Sequence, residues 1–212
     1  MEDFIIHEAY LVELVANIMK RMKDGEVSFD NVVDFANSAN RQLYLGNITT
    51  GVGSYISTYI RFWNQEDERN NVPAEERKPI KIYIDSHGVN LFDTFTLIYS
   101  IALSKTPVWT INTGAAYSGG FFTFIAGHRR IAYETSSFLY HEGACENGGD
   151  AGKFRNFAKF YERQLDQLKN IVLKYTSITE EEYEKHIKDD WWLTAEDALS
   201  LGVCDEIAKE FV

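Results

Sequence analysis

Apolar residues repeat with helical spacing in some stretches of the chain and run almost unbroken in others, and the two patterns alternate. Ile5, Ile6, Ala9, Leu11, Val12, Val15, Ile18, Met19 and Met22 share one helical face. That spacing predicts a first helix, which Gly25 ends; Ser28 can cap a second, carrying Val32, Val33 and Phe35. A strand is expected over 42–45 and a helix over 52–63. Residues 64–79, dense in charge and holding Pro73 and Pro79, are expected to form a solvated loop that tolerates change. Strand (80–84), helix (91–104), strand (108–112), helix (121–126) and strand (137–140) then alternate. After a glycine-containing loop (142–149), Phe154, Phe157, Phe160, Leu165, Leu168, Ile171, Val172 and Leu173 stripe a long helix over 151–175. Thr179 with Glu182, and Thr194 with Asp197, read as caps of two further helices.

Strands that alternate with helices indicate an α/β fold with right-handed parallel crossovers. The chain has 212 residues, 45% of them hydrophobic, enough for one full core over 41–212 with a helical extension over 1–40. No internal repeat or low-complexity segment is present. The formal charge of −11 argues against nucleic acid as a partner, since phosphate would be repelled. No apolar run approaches the length of a membrane span. The acidic start Met1-Glu2-Asp3 is unlike a secretory leader, so a cytoplasmic location is expected. Cys145 and Cys204 lie far apart, without metal-like spacing or any sign of a disulfide framework. No metal and no cofactor are expected.

Candidate chemistry starts at Ser118, in Gly114-Ala115-Ala116-Tyr117-Ser118-Gly119-Gly120 between an apolar strand and an apolar helix. A serine at such a corner has neighbouring backbone amides that can stabilise a developing oxyanion. It can equally be a helix cap. A nucleophilic reading needs a base, and His141, where the strand over 137–140 meets a loop, is the first candidate. His87 in Asp85-Ser86-His87-Gly88 competes, while His7, His128 and His186 look solvated. Asp189 and Asp190, beside Trp191 and Trp192, offer a partly buried carboxylate to orient the imidazole.

Four blocks, in order, resemble the proteolytic subunit of the Clp protease, a serine peptidase, over about 41–207. Ile82-Tyr83-Ile84-Asp85-Ser86-His87-Gly88 resembles that family's strand followed by Asn-Ser-Pro-Gly-Gly. The Ser118 block resembles Gly-x-Ala-Ala-Ser-Met-Gly, and Phe138-Leu139-Tyr140-His141-Glu142 resembles a segment ending Met-Ile-His-Gln-Pro. Asp190-Trp191-Trp192-Leu193-Thr194-Ala195-Glu196-Asp197-Ala198, followed by Leu201-Gly202-Val203-Cys204-Asp205, resembles its closing block.

The resemblance implies a spiral of ββα units, the Clp/crotonase-like fold. It implies Ser118 as nucleophile, His141 as base and Asp190 as orienting acid, with Asp189 as the alternative. The oxyanion hole would use the amides of Gly119 and Val89, and substrate would run along Gly88, Ala144 and Cys145. Val89 stands where the family has glycine, His87 where it has proline, and Gly143 where it has a second proline. Valine restricts the backbone at that half of the oxyanion hole, while the losses of proline at His87 and Gly143 loosen the loops around the site. A homo-oligomer is implied, either a heptameric ring or two stacked rings, acting on peptides or unfolded proteins. The family's ATP-driven unfoldase would be another polypeptide, because this chain has no Gly-x-x-x-x-Gly-Lys-Ser/Thr loop. The arm over 1–40 would accommodate an unfoldase or a non-standard partner, or equally block the axial pore or serve as a scaffold contact in phage-type particle maturation. Rival readings are an inert ring or assembly protein of the same fold and a crotonase-type acyl-CoA enzyme. A Ser/Lys signal peptide peptidase is disfavoured for want of a membrane anchor.

Overall fold

The computed structural model describes Lys20, Lys23 and residues 37–88, 90–143, 145 and 149–212. The two helices expected within 1–40, and the roles expected for Val89 and Ala144, lie outside the described residues. The chain separates into two compact units, Met1–Gln42 and Leu43–Val212. The second holds every described candidate residue.

Its sheet runs in the order β1 (Gln42–Leu45), β2 (Ile80–Ser86), β3 (Val108–Tyr117), β4 (Arg129–Ala132), β7 (Glu206–Ile207). β5 (Ser137–Tyr140) and β6 (Trp191–Thr194) branch from β3. β2 and β3, β3 and β4, β3 and β5, and β4 and β7 pair in parallel, while β5 and β6 are antiparallel. The helices are α1 (Val52–Arg69), α2 (Leu91–Ala102), α3 (Gly119–Ile125), α4 (Ala151–Tyr175), α5 (Glu180–His186) and α6 (Ala195–Ser200). This is the expected α/β architecture with a parallel sheet. Ile80, Ile82 and Ile84 alternate along β2 and are fully buried with Val108, Phe121, Phe124 and Phe138. Each such side chain contributes about 1.5–3 kcal/mol through burial.

β3 is longer than expected and forks. Its first half, Trp109 to Asn112, pairs with β4; its second, Ala115 to Tyr117, pairs with β5. Between the halves the register against β2 slips, from Ile84 opposite Asn112 to Ser86 opposite Ala116. Extra residues in one strand leave backbone groups without ladder partners. Side chains take up these groups: Ala115 N–H donates to Asp85 Oδ1 at 3.0 Å and Gly114 N–H to Asn112 Oδ1 at 3.1 Å. The fork frees the end of β3 from β4 and delivers Ser118 beside β5.

The stretch 64–79 corrects the expectation of a loop. α1 continues through Arg69, and a short 3-10 turn forms at Ala74–Glu76. The polar residues of 64–68 dock on the turn after α2 rather than on an apolar core, so apolar periodicity does not register them. Asn64 Oδ1 accepts the amides of Lys105 (2.8 Å) and Thr106 (3.0 Å). Asp67 is 3% exposed and accepts the Thr106 hydroxyl at 2.7 Å. Asp67→Ala leaves a buried hydroxyl unpartnered and should cost about 1–3 kcal/mol. Denaturant melts would check this, and an unchanged midpoint would return the segment to a tolerant loop.

Candidate active site

Ser118 sits between the end of β3 and the start of α3, with φ 52° and ψ −120°. A positive φ is costly for a residue with a Cβ and persists only where its surroundings hold it. Here Ser118 N–H donates to Leu139 O at 2.9 Å, and Ser118 O accepts from Phe122 N–H at 3.2 Å. Ser118 is the N-cap residue of α3, yet its side chain makes no capping bond. Its hydroxyl is therefore not spent on the helix, which removes the cap as the reason for a serine here.

The backbone of Gly88 lies against it. A Cβ at Gly88 would sit 2.6 Å from Ser118 Cβ and 3.1 Å from Ser118 Oγ, at φ +101°. Only glycine fits that approach and that conformation. Ser86, fully buried, accepts Gly88 N–H at 3.3 Å and shapes the turn. His87 stacks on Tyr117 with ring centroids 5.2 Å apart, and Tyr117 meets Trp192 edge-on.

His141 follows β5 directly. The antiparallel register sets Tyr140 opposite Trp191, which places the next residues, His141 and Asp190, opposite each other. His141 Nδ1 lies 3.7 Å from Asp190 Oδ1. Asp189 instead closes a backbone turn, its N–H donating to His186 O. The expectation of a partly buried carboxylate is corrected: the Asp190 side chain is 58% exposed. Asp190 precedes β6, and the inward position of that strand is taken by Leu193.

Two other histidines are less solvated than expected. His128 Nδ1 accepts Val108 N–H at 3.0 Å, and burial holds its pKa below the usual imidazole value. His186 stacks on Trp191 with centroids 4.2 Å apart. Behind β5, Tyr140 donates its hydroxyl to Tyr183 of α5, and burial raises both phenol pKa values.

Ser118, Gly119 and His141 line one open cavity of about 440 Å³. It is lined by Leu91 and Phe92 at the start of α2, Phe122 of α3, and Phe157, Phe160, Tyr161 and Leu168 of α4, together with Glu142, Gly143 and Cys145. The aromatic residues of α4 escaped the sequence reading because they share a stripe with Leu168, Ile171 and Val172. Leu168, Ile171 and Val172 are buried, Phe157 and Phe160 only partly so, and Phe154 is exposed. Gly88 borders Ser118 without lining the cavity, while Cys145 does line it. Cys145 is exposed and Cys204 buried, both as free thiols. Among the described residues no cluster of metal-type side chains occurs, and no helix is long and apolar enough to cross a membrane.

The family model described as Clp protease matches residues 72–211, which include Gly88, Ser118, His141 and Asp190. The chain belongs to the Clp protease family. It is 30% identical to the ATP-dependent Clp protease proteolytic subunit 2 of Treponema denticola over 134 residues, covering 62% of this chain and 67% of that protein. The subunit of the same name from Treponema pallidum is 26% identical over 135 residues, covering 63% of this chain and 68% of that protein. The forked parallel sheet is accordingly a Clp/crotonase-like fold, of which this chain is a divergent member.

Proposed function

We propose that this chain is a serine endopeptidase subunit in which Ser118, His141 and Asp190 act together on peptide bonds. The observation that carries the reading is Ser118 at a strained corner, its hydroxyl unused by α3, sharing a cavity with a histidine turned towards a carboxylate. With Nδ1 facing Asp190, the imidazole keeps Nε2 for the serine proton. Ser118 Oγ attacks the scissile carbonyl while His141 takes its proton, and the Gly119 amide stabilises the oxyanion. His141 then protonates the leaving amine, and water activated by the same ring releases the acyl group. Ser118 and His141 are not hydrogen-bonded among the described residues, as is common before substrate tightens such a site.

Family membership supports a ring of identical subunits in the cytoplasm, seven to a ring, with the sites enclosed. It also supports an ATP-driven unfoldase on a separate polypeptide as the source of unfolded chains. The test is covalent labelling with a fluorophosphonate, followed by peptide mapping. The expected result is a single adduct on Ser118 that His141→Ala slows by ~10²-fold or more. A wild-type chain that takes up no label at Ser118 would remove the basis for the proposal.

A further inference from the structure

The cavity beside Ser118 carries a charge that the proposed chemistry does not use. Glu142 follows His141 directly and lines the same space as Ser118 and Phe160. It is the one carboxylate among the described lining residues, and no lysine or arginine joins it there. Glu142 has no salt bridge among the described residues, and its backbone oxygen accepts the Tyr161 hydroxyl at 3.3 Å. Its side chain acts electrostatically on Tyr161, whose phenol pKa is raised first by burial and then by the charges of Cys145 and Glu142. Tyr140 and Tyr183, behind β5, feel the same carboxylate.

Taking the peptidase reading as its basis, we infer that Glu142 selects for a lysine or arginine side chain in this cavity, next to the bond that is cut. The shape and chemistry of the walls fit such a residue. A long aliphatic stem can lie along Leu91, Phe122 and Leu168, while its cationic head stays near the open rim. Phe157, Phe160 and Tyr161 present aromatic surface to that head. A carboxylate in the same lining then completes the match. An acidic side chain would meet an unneutralised negative charge there, in a protein already carrying a net −11. A neutral side chain would gain the apolar contact alone. The sequence gives the same contrast locally, since His141-Glu142-Gly143 places an acid where the resembling family segment has glutamine.

The test uses acetylated peptide amides that differ at one position, carrying arginine, norleucine or glutamate. Binding is read by anisotropy in a Ser118→Ala background, where the peptides stay intact, and kcat/KM is read on the parent chain. Arginine should be preferred over glutamate by ~10-fold or more, with norleucine between them. Glu142→Gln should bring the arginine-to-norleucine ratio close to one. Glu134→Gln, an exposed carboxylate that does not line the cavity, should leave the ratio as it was. Equal binding of the three peptides, or a preference that survives Glu142→Gln, would overturn the inference. So would equal losses in the two variants, which would assign the preference to overall charge. Binding needs no turnover, so a chain that selects arginine without cutting it would refute the peptidase reading alone.

Discussion

Ser118→Ala should lower peptide hydrolysis by ~10³-fold or more, with KM little changed. The methyl group keeps the volume at the corner, and the backbone bonds to Leu139 and Phe122 do not depend on the hydroxyl. What is lost is the atom that forms the acyl-enzyme. His141→Ala should cost a similar factor, and the double variant should be little worse than either alone, because both act in one step. Asp190→Ala should be milder, at ~10- to 10²-fold. Its carboxylate is 58% exposed and 3.7 Å from His141, so water can supply part of the stabilisation it offers the imidazolium. Rates on a short fluorogenic peptide would measure all three. Full activity in the Ser118→Ala chain would show that hydrolysis arises elsewhere.

Gly88→Ala should be nearly as damaging, through geometry rather than chemistry. The added Cβ would need to sit 2.6 Å from Ser118 Cβ and 3.0 Å from Tyr117 O, at φ +101°. Neither neighbour is the free end of a flexible side chain. Relief therefore means moving the turn that follows β2 or the corner that holds Ser118. Displacements of this kind near a reacting atom cost ~10²-fold in rate. The left-handed backbone adds about 1 kcal/mol of strain for alanine. The expected outcome is a ~10²-fold fall in kcat/KM with a small loss of thermal stability, read by kinetics and circular dichroism side by side. Wild-type kinetics in this variant would mean that the turn yields freely and does not brace the serine.

The parts of the fold that local chemistry dictates could be read from the chain. Thr179 with Glu182 and Thr194 with Asp197 form capping boxes where they were expected, since the bonds span only three residues. The parallel strands announced themselves by their buried isoleucines, and α4 by its stripe. Long-range pairing was less legible. The helical continuation through Asn64 and Asp67 depends on the turn at Lys105 and Thr106, which no apolar period reports. The aromatic wall of the cavity shares its spacing with an ordinary core-facing stripe. At the site itself, the tryptophans beside Asp190 pointed to burial, but Trp192 is itself 56% exposed and packs on Tyr117. The proximity of His141 to Asp190 needs the register of β5 against β6, which single-strand patterns do not contain.

That register also sets a timetable. β5 lies early in the chain's second half, yet its antiparallel neighbour arrives only with residues 191–194. During synthesis, Ser118 and His141 emerge and begin to fold long before the segment that brings Asp190 opposite His141. A growing chain thus holds an uncoupled histidine until residues 191–194 have left the ribosome. On the proposed chemistry, the order in which its strands become available holds a half-made peptidase ~10- to 10²-fold below its full rate.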